Sequence, residues 1–211
     1  MTYTQPNLTT SALVTIDTQN DFTLAGAPAQ VPGTLAIIPN MVRLLRCYRE
    51  LRLPIIHIVR IYLPDGSNAD LCRRALLESG AKIALSGSAG VELVNDLKPH
   101  SAVNLDADQL LQGHIQQWSE NEVVIYKPRW GAFHRTPLSE HLKHLNVDTL
   151  LFCGCNFPNC PRTSIYEASA RDYKLILAED ALSGLYEKGK QEMENIGVEV
   201  VSTETILAGL S

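Results

Sequence analysis

Apolar residues are grouped along the chain in two ways. Short unbroken runs rich in β-branched residues occur at 12–16 (ALVTI), 54–61 (PIIHIVRI), 122–126 (EVVIY), 149–153 (TLLFC), 174–178 (KLILA) and 198–201. Runs of this length and make-up read as strands covered on both faces. Elsewhere apolar residues recur at steps of three and four. Leu35, Ile38, Met41, Leu44, Leu45, Tyr48 and Leu51 predict an amphipathic helix over 34–52. Further helices are predicted over 70–79, 90–97, 106–118, 138–145, 161–172, 187–195 and 205–210. From residue 122 onward strand and helix alternate. That alternation implies parallel strands with right-handed crossovers and helices on both faces, an α/β sandwich. No internal repeat or linker divides the chain. Residues 1–10 read as a polar N-terminal extension and 11–211 as a single domain.

Composition excludes several classes. With 45% hydrophobic and 19% charged residues the chain can build a core, so it is not disordered. A formal net charge of −5 leaves little room for a broad basic face, which argues against nucleic acid and anionic membranes as partners. The N-terminus MTYTQPNLTTS has neither the basic stretch nor the apolar run of a signal peptide, and no apolar run approaches the ~20 residues needed to cross a bilayer. These features predict a soluble, cytoplasmic protein. Five cysteines without a secretion signal argue against a disulfide framework.

Three strand ends carry candidate chemistry, and in open α/β sheets ligands bind beyond the carboxyl ends of the strands. The first strand ends in Asp17, within IDTQNDF; the third ends in Lys127, within YKPRWGAF; the fourth runs into CGCNFPNC, residues 153–160. Pro161 favours a helix start immediately after Cys160, so Cys160 is predicted to cap that helix, where the helix dipole and a nearby lysine would favour a thiolate. Cys153, inside an apolar strand, reads as core. The Cys-x-Cys-x₄-Cys spacing is a poor zinc site, because no second Cys or His pair accompanies it. Cys155 and Cys160 lack the Cys-x-x-Cys spacing of a redox pair.

With these three motifs in this order, the chain resembles the isochorismatase-like cysteine hydrolases, a superfamily that includes nicotinamidases and N-carbamoylsarcosine amidases. The resemblance runs from about Leu13 to about Val201. It implies a three-layer, Rossmann-like α/β/α fold with a six-stranded parallel sheet of order 3-2-1-4-5-6. It also implies that Asp17, Lys127 and Cys160 are catalytic and that the backbone N–H groups of Phe157 and Cys160 form an oxyanion hole. A cis peptide is implied at Asn156–Phe157. The implied reaction is cleavage of a C–N bond in a small amide, ureide or carbamoyl compound through a Cys160 thioester, by a homo-oligomer (dimer or tetramer). Phe22, Tyr62, Trp130 and Phe133 are candidate pocket walls.

Departures from the pattern matter too. Metal-binding nicotinamidases carry Asp-x-His and a further His after the second strand, where this chain has Ile61-Tyr62-Leu63-Pro64-Asp65, so no metal or other cofactor is expected. Isochorismatases proper cleave a vinyl ether and lack the cysteine; that activity is one alternative. A non-catalytic protein binding a small molecule or partner on the same fold is another.

Overall fold

The computed structural model describes residues 3–210. The strands are β1 (Ser11–Ile16), β2 (Ile55–Val59), β3 (Gln116–Ser119), β4 (Glu122–Tyr126), β5 (Thr149–Gly154), β6 (Lys174–Leu182) and β7 (Glu199–Val201). The helices are α1 (Asn20–Thr23), α2 (Thr34–Glu50), α3 (Leu71–Glu78), α4 (Ala107–Leu111), α5 (Leu138–His144), α6 (Cys160–Ser169), α7 (Glu187–Glu194) and α8 (Thr203–Leu210). None is long and apolar enough to cross a membrane.

The sheet order is β3-β4-β2-β1-β5-β6-β7. Without β3, the remaining six strands are parallel and follow the expected order. The sheet therefore has seven strands rather than six, and the extra one, β3, pairs antiparallel with β4 at the edge.

Alternating side chains of β1 supply the two halves of the core. Leu13 packs with Met41, Leu44 and Tyr48 of α2 and Ile206 of α8 on one face. Ala12, Val14 and Ile16 pack with Leu138 and Leu142 of α5, Ile165 of α6 and Met193 of α7 on the other. Strands buried on both faces have no polar side to alternate with, which is why they appear as unbroken apolar runs.

Two helix expectations fail, for local reasons. The helix expected over 106–118 stops at Leu111. Gly113, at φ +85°, turns the chain out of the helix, and residues 116–119 then pair with the otherwise open edge of β4. Trp118 tilts over the buried His57 ring there, centroids 5.3 Å apart. The helix expected over 90–97 is two 3₁₀ turns, Ala89–Val91 and Asn95–Leu97. Between them the backbone is committed to the loop after β1: the N–H of Asn20 donates to the Glu92 carbonyl, and that of Val94 to the Thr18 carbonyl. A backbone group engaged in a tertiary bond cannot also serve a helix.

At the N-terminal edge, the N–H of Asn7 donates to Thr149 Oγ1 and Thr10 Oγ1 donates to Asp148. The segment preceding β1 is thus tied to the start of β5.

Candidate active site

The site lies where β1 and β5 leave the sheet side by side. Ile16 and Gly154 are register partners, and the N–H of Cys155 donates to the Ile16 carbonyl at 2.8 Å. Gly154 stands at φ +118°, and a Cβ there would lie 2.3 Å from the Ile16 carbonyl oxygen. Only glycine permits both the conformation and the approach. One residue beyond Ile16, Asp17 has φ +50°. Aspartate tolerates this left-handed region better than most residues, and such strain persists only where surrounding contacts enforce it. Here the N–H of Asp17 is held by the Ile58 carbonyl at 3.0 Å.

Three polar side chains meet at that point. Lys127, leaving β4, is 1% exposed. Its Nζ is 2.9 Å from Asp17 Oδ2 and 3.3 Å from Cys160 Sγ. Burial opposes the lysine's charge, but the neighbouring Asp17 and Cys160 outweigh it and hold the ammonium well above the usual lysine range. Asp17 Oδ1 is buried and has no hydrogen-bond partner, which leaves a free acceptor beside the thiol.

Cys160 differs from expectation in two respects. It is the first residue of α6 rather than its cap; Asn159, at φ −115° and ψ −103°, holds the cap position without a side-chain hydrogen bond. Its thiol is also pushed far up rather than down: burial contributes most, the charge of Asp17 adds to it, and Lys127 offsets only part. Cys160 thus lies beside the Asp17–Lys127 ion pair with its thiol held up by burial.

The cysteine loop brings two more corrections. No cis peptide bond occurs among the described residues, so Asn156–Phe157 is trans, and the chain reverses through the unusual angles of Gly154 and Asn159 instead. The N–H of Phe157 donates to the Ser183 carbonyl at 2.8 Å. Occupied in this way, it cannot also bind an oxyanion. The N–H of Cys160 has no acceptor among the described residues and remains available.

A small cleft of about 40 Å³ opens onto these groups. Of the four expected pocket walls, Phe22, Tyr62 and Trp130 line it. Phe133 does not. It lies in the core, 5.9 Å from the Tyr173 ring and beneath the Arg171 guanidinium. The sequence reading missed a second polar wall formed by Arg60, Asp70 and Arg73. Arg60 is 3% exposed and pairs with Asp70 at 2.9 Å; it also donates to the Lys127 carbonyl and lies over the Tyr62 ring. Tyr62 donates its hydroxyl to the same Asp70 oxygen, and burial pushes that hydroxyl's pKa up to about 12. An arginine closing an apolar strand was the available signal for this wall. Cys155, 3% exposed, also borders the cleft, with its thiol pushed up to about 11 chiefly by burial.

Residues 11–205 match the Isochorismatase domain. Among curated proteins, the chain is 31% identical over 195 residues to one named "probable inactive nicotinamidase" from Arabidopsis thaliana, covering 89% of this chain and 90% of that one. It is 26% identical to N-carbamoylsarcosine amidase of an Arthrobacter species, covering 93% of this chain and 69% of the relative. Among solved structures, an isochorismatase family protein from Desulfovibrio vulgaris superposes with a TM-score of 0.80 at 33% identity, covering 94% of this chain and 98% of that one. The zinc complex of Pyrococcus horikoshii pyrazinamidase superposes with a TM-score of 0.70 at 21% identity, covering 92% of this chain and 99% of that one.

Proposed function

Because the chain belongs to the isochorismatase family, we propose that it is a metal-independent cysteine hydrolase that cleaves the C–N bond of a small amide, ureide or carbamoyl compound. The observation that carries this reading is the single ammonium of Lys127 within 3.3 Å of both Asp17 and Cys160.

The cycle follows from the charges. Cys160 Sγ attacks the substrate carbonyl carbon while its proton passes to Asp17. Asp17 becomes neutral, and the negative charge it gives up passes through the sulfur, beside Lys127, to the carbonyl oxygen as the S–C bond forms and the carbonyl π bond opens, with no change in net charge. The carbonyl oxygen gains charge and takes the free N–H of Cys160. Asp17 then protonates the departing nitrogen, the C–N bond breaks, and a thioester remains. Water attacks the thioester, Asp17 takes its proton, and the C–S bond breaks as that proton returns to the sulfur. A thiol held up by burial suits this sequence, because the proton transferred at attack is the one needed by the leaving group.

The residues present do not fit a metal-assisted variant. No group of three His, Cys, Asp or Glu side chains is placed to hold a metal ion among the described residues. Asp70, the carboxylate across the cleft from Asp17, is committed to Arg60 and Tyr62. The family resemblance further supports a homo-oligomer.

The test is ammonia release from a panel of small primary amides and ureides, read together with intact-protein mass. Turnover is expected to vanish in Cys160→Ala. Rapid acid quenching of the wild type is expected to trap a mass adduct on Cys160. Undiminished turnover in Cys160→Ala would remove the nucleophile assignment and the reading with it.

A further inference from the structure

The segment between β4 and α5 begins with Lys127 and includes Trp130, one wall of the cleft, yet it has no regular structure of its own. Residues 128–136 make no backbone–backbone hydrogen bond among the described residues. Backbone groups without such partners must find side chains or water. Here the partners come from α6, the helix that opens with Cys160. Ser164 and Glu167 follow Cys160 at the i+4 and i+7 positions, so all three share one face of that helix. Ser164, wholly buried, accepts the N–H of Ala132 at 3.0 Å and donates its own hydroxyl proton to the Cys160 carbonyl at 2.7 Å. One turn on, Glu167 Oε2 accepts the N–H of Phe133 at 2.8 Å.

Gly131 shows how closely the two pieces fit. A Cβ there would lie 2.3 Å from the Glu167 carboxylate. Its φ is outside the left-handed region, so this glycine answers to space rather than to conformation. The other end of the segment is held by the sheet. The N–H of Lys127 donates to the Val59 carbonyl at 3.0 Å, and the Lys127 carbonyl accepts from Arg60 at 2.9 Å. Lys127 and Trp130 are thus strung between an anchor on β2 and an anchor on α6.

Resting on the hydrolase reading, we propose that Glu167 and Ser164 are positioning residues. They fasten the lysine-bearing segment to the helix that carries the nucleophile, and so set the 3.3 Å approach of Lys127 Nζ to Cys160 Sγ. Neither side chain reaches the reacting sulfur. Their effect is that two parts of the site far apart in sequence move as one body. The role needs an acceptor rather than a charge, because the Glu167 carboxylate forms no ion pair among the described residues. A glutamine there would still accept the Phe133 N–H.

The experiment measures kcat and KM on the best amide of the panel for Glu167→Ala, Glu167→Gln, Ser164→Ala and Gly131→Ala, at a temperature where each is folded. Backbone amide hydrogen exchange of the same proteins is followed by mass spectrometry. A misplacement of about 1 Å can cost about 10²-fold in rate. Glu167→Ala is therefore expected to lower kcat by roughly tenfold to 10²-fold with little change in KM. Glu167→Gln should restore most of that loss. Gly131→Ala, which pushes the segment off an intact Glu167, should reproduce it, and Ser164→Ala should act in the same direction. Exchange across 131–134 should quicken about tenfold in Glu167→Ala, the value of one lost hydrogen bond, while exchange across 149–154 stays as in the wild type.

A Glu167→Ala protein that melts earlier but keeps its kcat per folded molecule has lost only stability, and that result overturns the proposal. So does a Glu167→Gln protein as slow as Glu167→Ala, or exchange across 131–134 that is the same in wild type and Glu167→Ala. If the exchange responds as expected but the wild type cleaves no amide, the fastening stands and the hydrolase reading falls.

Discussion

Replacing one oxygen at Asp17 separates its electrostatic part from its chemical part. Asn keeps the shape but cannot accept and return a proton. General acid–base groups contribute about 10²–10⁴-fold, and both halves of the proposed cycle need this one carboxylate. Turnover in Asp17→Asn is therefore expected to fall by 10³-fold or more, chiefly in kcat. The charge of Asp17 is also one of the causes that hold the Cys160 thiol up, after burial, so its removal lets Lys127 draw the sulfur toward thiolate. The same variant should react faster with iodoacetamide at Cys160 while hydrolysing more slowly. Parallel loss of both would mean that Asp17 only shapes the site. In the wild type, exposed Cys72 should be alkylated first and without loss of turnover, and inactivation should follow the slower modification of Cys160. Inactivation in step with Cys72 would contradict the assignment.

Asp17, Lys127 and Cys160 were legible as residues because each interrupts or follows an apolar run with a group that such a strand end would not carry for packing. What the sequence did not reveal was environment. A cap position favours a thiolate in water, but here desolvation outweighs the dipole, and burial is a property of the folded cleft. Phe133 failed for a related reason: its motif placed it near the site, whereas the face on which a ring points is settled by the packing of Tyr173 and Arg171.

At the scale of elements, the seam between β1 and β5 carries the positional demands of the site. In Gly154→Ala the new methyl would collide with the Ile16 carbonyl in a backbone region that alanine avoids. A loss of at least about 2 kcal/mol is expected from conformational strain and steric conflict together. Activity should fall further than stability, because Asp17 and Cys155 both start at this contact. Equilibrium denaturation and kcat on the same preparation check this; an alanine variant as stable as the wild type would show that the seam yields. The six parallel strands were readable because burial on both faces leaves a continuous apolar signature. Edge strand β3 was not. QQWS is short, half polar and defined by its partner β4, and Gly113, which ends α4, is a single residue inside an otherwise helical pattern.

For the whole molecule, a second buried charge network lies away from the cleft. Glu122, 1% exposed, accepts from Arg49 and bonds His57 Nε2, while His57 Nδ1 bonds Thr15. Burial opposes ionisation of Glu122, but the hydrogen bonds from Arg49 and His57 outweigh it and bring its pKa down to about 2. A carboxylate with a depressed folded-state pKa stabilises the fold above its unfolded value and loses that contribution as pH falls. The window here runs from about pH 4.5 down to about pH 2, and the contribution is about 3 kcal/mol at ~1.4 kcal/mol per pK unit. The stability gap between wild type and Glu122→Gln, measured in urea, should therefore be wide at pH 6 and narrow toward pH 3. A gap unchanged with pH would mean that Glu122 acts through packing alone.

The sheet order also governs when a nascent chain becomes chemically competent. β1 is made first but sits at the centre, and its flank facing β5 stays open until residues 149–154 have emerged. Its partners on that side are about 140 positions downstream, so closing this part of the sheet bears a large loop-closure entropy, and folds dominated by such distant pairings form slowly. The proposed nucleophile, acid/base and cation are strangers in sequence and become neighbours only after that closure. A chain released early carries Asp17 and Lys127 but neither β5 nor Cys160, so it can fill the central gap in the sheet no better than it can attack an amide. During refolding, recovered turnover should accordingly lag behind the first appearance of helix and coincide with the final consolidation of the sheet.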